Sequence, residues 1–270
     1  MALVVVGSAK GGAGATATGL GLAAMSGDGL DGVFVEADIL GGDVQLHFGV
    51  RDAPGLVSLA AAAHRSGLSG ALLREHAQAL PGGALVVAAP AAVEQAGAAV
   101  ELLDSAWSEA ELDDVLVFAD AGALARHPAP GLLARADAVV LVCSGLPASL
   151  AHAADVASRW TATGKPVVLA VRGACSYTPE RLSAQLDVSV CALLPEDPVD
   201  ALLLRGARVP PRGRLPWRRP DHALMTALKA LHTSLLDLLP QVMDAGVDPA
   251  ATEPVAMAEP LDQAMTALGR

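Results

Sequence analysis

Residues 4–23 read VVVGSAKGGAGATATGLGLA: a run of valines, a loop of small residues, then the Ala/Leu pattern of a helix. Gly11, Gly12 and Gly14 let the backbone approach an anion and adopt positive φ. The amides of Gly11, Gly12, Ala13, Gly14, Ala15 and Thr16 then curl into a helix start, the geometry that cradles phosphate. Thr16 stands where a hydroxyl would ligate Mg2+. One part is missing. Such a loop ordinarily ends Gly-Lys-Thr, and here it ends Gly14-Ala15-Thr16. The lysine that meets the β- and γ-phosphates is gone. A charge-assisted contact is worth about 1.5–3 kcal/mol, so its loss weakens binding by about ten- to a hundredfold. Hydrolysis suffers more, because charge grows on the transferring phosphoryl group in the transition state. The loop therefore implies weak binding of ATP with Mg2+ and slow turnover at best. A strand–helix turn that binds nothing is the competing reading.

A loop of this kind works only at the end of a parallel strand, and the chain offers the strands. Apolar runs at 3–6, 33–36, 84–88, 115–119, 138–143, 167–171 and 188–193 alternate with helical patterns at 16–25, 56–65, 93–107 and 150–160. Strand, helix, strand in repetition predicts right-handed βαβ units and an α/β, doubly wound, mostly parallel sheet. Hydrophobic content of 53% against 3% aromatic fits Val/Leu strands buried on both faces. The pattern predicts a single domain over 1–207, broken by an Arg/Pro-rich loop over 208–220. Leu224, Leu228, Leu231, Leu235 and Leu238 then predict a packing helix over 221–240, ended by Pro240. Residues 241–270 read as a flexible tail with one short helix.

With the loop in place, later segments complete a resemblance. AKGGAGAT (9–16) resembles the deviant P-loop of the MinD/ParA group of ATPases, usually KGGxGKT, with an extra lysine before the glycine pair; Lys10 matches that lysine. VFVEADILGGDVQLHFGV (33–50) resembles the group's second acidic motif, and DDVLVFADAGA (113–123) its third. PGLVSLAAAA, ALPGGALVVAAPAAVEQA, ADAVVLVC and LLPEDPVDALLLRGA follow the order of one branch. That branch holds pilus-localising proteins of the TadZ/CpaE type and actinobacterial septum-site-determining proteins. The resemblance covers about residues 2–207. It implies a P-loop NTPase fold, with Asp38 facing the attacking water and the metal, and Asp120 beside the Mg2+. Lys10 would reach the nucleotide of the partner subunit in a face-to-face homodimer. The chain departs at Ala15, which makes the Walker A motif degenerate, at Ala9 where many relatives carry glycine, and at Glu36 in place of the first acid.

The implied role is spatial positioning or scaffolding for pilus assembly, septum placement or chromosome partitioning, as a nucleotide-binding protein or a pseudo-ATPase. A slow ATPase switch that dimerises on ATP through Lys10 is the alternative. A dinucleotide-binding oxidoreductase is a remote one: Gly7-x-Ala9-x-x-Gly12 is a loose match, with Glu36 where a ribose-binding acid would sit. No nucleophile elbow, zinc-helix motif or paired carboxylates appear. Cys143, Cys175 and Cys191 lack metal spacing, and Cys143 and Cys191 fall in apolar runs as small core residues. His64 and His76 read as surface helix residues. A net charge of −11 gives no strong nucleic-acid signal. Arg212, Arg214, Arg218 and Arg219 form part of a basic cluster beside Trp217 that reads either as a solvated loop or as a surface that binds an anionic partner. No apolar run spans a bilayer and no leader is visible, so the expected location is cytoplasmic, with recruitment to membrane or pole by partners.

Overall fold

The computed structural model describes residues 2–26, 31–81, 84–113, 115–126, 129–197, 200, 204 and 222–244. Strands β1 (Ala2–Ser8), β2 (Asp31–Glu36), β3 (Gln78–Ala79), β4 (Leu85–Val87), β5 (Val115–Ala123), β6 (Ala138–Ser144), β7 (Val167–Arg172) and β8 (Val190–Leu194) build one sheet. Their spatial order is β3-β4-β2-β5-β1-β6-β7-β8. Every pairing is parallel except that of the two-residue edge strand β3 with β4.

Residues of a strand alternate between faces, and here both faces are covered. Leu3 and Val5 pack into one core with Val117, Leu141 and Leu169, while Val4 and Val6 pack into the other with Phe118, Val140 and Val168. The first core is closed by α3 (Leu56–Ser66), α5 (Val93–Ser108), α6 (Pro130–Arg135), α7 (Pro147–Thr161) and α8 (Pro179–Leu186). The second is closed by α1 (Ala15–Met25) and α9 (Ala223–Asp244). Two short helices, α2 (Val44–Phe48) and α4 (Gly70–His76), occupy the β2–β4 crossover with α3. The architecture is the doubly wound α/β sheet that the alternating pattern predicts.

All seven expected strands form, and the differences are local. The β3 edge was not foreseen, because two residues carry no periodicity. Helix α9 runs to Asp244 rather than ending at Pro240; a proline removes one amide donor, and the next turn continues past it. The leucine row of α9 closes with Leu239, at 5% exposure, one position beyond the expected Leu238, which is half-buried. Each such leucine contributes about 1.5–3 kcal/mol by burial, so the row holds α9 against α1. His76 is not a plain surface residue: its ring meets the Ser58 hydroxyl at 2.8 Å and is half-buried. Cys143 is buried as expected, while Cys191 is half-buried. Residues 208–220, with Arg212, Arg214, Arg218 and Arg219, lie outside the described residues, as does the expected terminal helix.

Candidate functional site

Strand β1 delivers the glycine loop to the carboxyl edge of the sheet, between β5 and β6. Gly11, Gly12 and Gly14 all take positive φ, at 84°, 73° and 86°. The loop is pinned at both ends. The Gly11 amide donates to the Ser8 hydroxyl at 2.7 Å, and the Gly14 carbonyl accepts the Thr18 amide at 3.0 Å and the Thr18 hydroxyl at 2.9 Å. Gly14 is the N-cap of α1. No side chain caps that helix and its first turn holds no acid, which leaves its amides and dipole facing outward toward an anion.

The loop opens on a cavity of about 360 Å³ whose wall includes Ser8, Gly11, Gly12, Gly14, Ala15, Thr16, Asp38, Asp43, Asp120 and Gly122. Three of those groups are carboxylates. Among the described residues, no lysine or arginine lines the cavity. The Gly122 amide donates to the Asp120 carboxylate at 3.0 Å, and the neighbouring Thr16 hydroxyl favours its ionised form. Burial pushes Asp120 up to about 6 against both, and the charges of Asp38 and Asp43 push the same way as burial. Asp38 caps its own turn, accepting the Leu40 amide at 2.9 Å, and its carboxylate lies where a side chain on Gly122 would be. Gly122, at φ 60°, is the residue that makes room for it.

Glu36, the register partner of Asp120 across β2 and β5, is a structural clip. Oε1 accepts the amides of Asp43 at 2.9 Å and Val44 at 3.0 Å, and Oε2 accepts that of Ala89 at 2.9 Å. Burial raises it to about 7 although those three amides pull the other way. At 2% exposure, with both oxygens engaged, Glu36 offers no carboxylate to a ribose. The dinucleotide reading loses the acid it depends on.

The fold thus brings Gly11, Gly12, Gly14, Ala15, Thr16, Asp38 and Asp120 around one cavity. Lys10 is exposed and Ala13 packs on the second core, and neither is on the cavity wall. Sequence reasoning missed Ser8 and Asp43. Ser8 lies one turn before the glycines, and Asp43 opens α2, too short to show a helical period. The site fits a Mg2+-bound polyphosphate in its backbone cradle and its Thr16–Asp120 pair. In charge it fits one only with the metal present, since Asp38, Asp43 and Asp120 line it and, among the described residues, no lysine or arginine does.

No family model and no curated protein sequence matches the chain. Solved structures do. A ParA family ATPase from Chlorobium tepidum superposes with a TM-score of 0.64 at 18% identity, over 87% of this chain and 98% of that one. The septum site-determining protein MinD from Pyrococcus horikoshii, complexed with Mg-ADP, gives 0.63 at 18% identity over 89% and 98%. A chain of the MinC:MinD cell division protein complex of Aquifex aeolicus gives 0.60 at 16% identity over 88% and 96%. Identities this low establish the fold: the chain has the α/β P-loop architecture of the MinD and ParA ATPases. Among the described residues no helix is long and apolar enough to cross a membrane.

Proposed function

We propose that this chain, which has the MinD/ParA fold, is a positioning or scaffold protein whose degenerate loop binds Mg-ATP weakly and turns it over slowly or not at all. The observation that carries this reading is the loop itself. Gly11, Gly12 and Gly14 hold left-handed φ just before an uncapped helix, a conformation that glycine alone adopts at no steric cost and that curls successive amides into an anion-binding concavity. Its amides would hold the phosphates. Mg2+, when bound, supplies the charge neutralisation that the wall lacks; Thr16 and Asp120 would hold it, with Asp38 across the cavity orienting water. Ala15 offers no cation to the charge that develops on a transferring phosphoryl group, which supports binding over catalysis.

Lys10, exposed at the loop's outer rim, is free to reach a second copy, which supports a nucleotide-bridged homodimer. The other members of this reading are pilus-assembly or cell-division machinery, recruited through a surface rather than through chemistry. Calorimetric titration of Mg-ATP, alongside a phosphate-release assay, tests it: micromolar-to-millimolar binding with negligible release is the expected pair of results. Brisk phosphate release would replace this reading with that of an active ATPase switch.

A further inference from the structure

The charge that Ala15 lacks has a neighbour. Arg172, the last residue of β7, folds its side chain onto the glycine loop. Were Gly14 to carry a Cβ, that atom would stand 2.9 Å from the Arg172 Cζ and 3.2 Å from its Cδ, and would collide with Nη1. The guanidinium therefore rests against the Gly14 α-carbon. Only glycine permits this. Gly14 lines the cavity, so the guanidinium touches a residue of the phosphate cradle itself.

The guanidinium is also uncommitted. Its residue is half-buried, and among the described residues no carboxylate or carbonyl accepts from it. Other cations of the fold have partners: Arg135 pairs with Asp137, Arg159 with Asp155, and Lys165 donates to the carbonyls of Ala134 and Ala136. A guanidinium without a counter-charge gains charge-assisted hydrogen bonds when an anion arrives. Its five donors suit phosphate oxygens, and a side chain of that length swings over a glycine at little cost.

We infer that Arg172 is the phosphate-binding cation of this site, supplied from β7 in place of the lysine that Ala15 removed from the loop. The inference rests on the nucleotide-binding reading above and adds to it the residue that makes binding work. Gly14 is then required twice, for its left-handed φ and for the passage of the guanidinium.

The test is a cycle of calorimetric titrations with Mg-ATP on the full chain: wild type, Arg172→Gln, Arg172→Lys, Ala15→Lys, and Ala15→Lys with Arg172→Gln. Melting curves without nucleotide serve as the folding control. Arg172→Gln weakens binding by about tenfold or more, the loss of one charge-assisted contact, while Arg172→Lys retains most of the affinity. In the Ala15→Lys background the same Arg172→Gln change has little effect, because the loop again carries its own cation. Wild-type binding left unchanged or tightened by Arg172→Gln overturns the inference and leaves the nucleotide reading standing. No binding by wild type at millimolar Mg-ATP overturns both.

Discussion

The Glu36 carboxylate accepts the Val44 amide at 3.0 Å, so the segment that carries Asp38 is tied back to the end of its own strand by a buried acid. That acid is pushed up to about 7 from 4.5, burial outweighing the three amides that favour its ionised form. A carboxyl whose folded pKa is raised takes up a proton on folding. Its contribution is therefore complete below about pH 4.5 and is lost as pH rises through about 7. Asp120, raised to about 6, adds to the same trend. In metal-free buffer, thermal stability should decline between about pH 5 and 7.5, by a few kcal/mol at most at 1.36 kcal/mol per pKa unit. Glu36→Gln should flatten much of that decline, whatever its effect on the absolute midpoint. An undiminished slope in the Gln variant would mean that Glu36 is ionised throughout.

Gly14→Ala should damage the loop in two ways. A left-handed residue with a Cβ costs about 1–2 kcal/mol, and the new methyl meets the Arg172 guanidinium. Differential scanning calorimetry should show the midpoint lowered by a few degrees, with Mg-ATP binding lost. A variant that melts and binds like wild type would show that the loop does not hold φ 86° in solution.

The fold was legible because its signal is global. Seven apolar runs separated by helical periods leave little choice but a doubly wound sheet, and all seven formed. The site was legible only where chemistry is sequential. The glycines and Thr16 announce themselves within one loop, and Asp38, just past β2, and Asp120, within β5, fall in recognisable motifs. Arg172 could not be read this way, since its meaning lies in meeting Gly14 across β6 and β1, a contact between residues far apart in the chain. Glu36 was seen as a departure from a motif; that it clips two segments together depends on amides whose positions only the fold provides. The proline in α9 was over-read: Pro240 removes a hydrogen bond without ending the helix.

If Lys10 bridges two copies, Mg-ATP should convert monomer to dimer in light scattering, and Lys10→Ala should abolish that shift while leaving the melting temperature within about a degree or two, as exposed substitutions do. A dimer present without nucleotide and indifferent to Lys10 would point to a constitutive scaffold.

The most direct measurement is the calorimetric titration of the wild-type chain with ATP, with and without Mg2+, set beside Ala15→Lys. On the proposed reading the loop's amides form the cradle and only a cation is missing from the loop. Binding should therefore be weak, should require Mg2+ because the described wall is anionic, and should tighten at least several-fold when the lysine is restored, up to the ten- to hundredfold worth of one charge-assisted contact. A folded wild type with no binding at millimolar Mg-ATP, joined by an Ala15→Lys variant that also fails to bind, would contradict the account: the loop would then be a turn and nothing more.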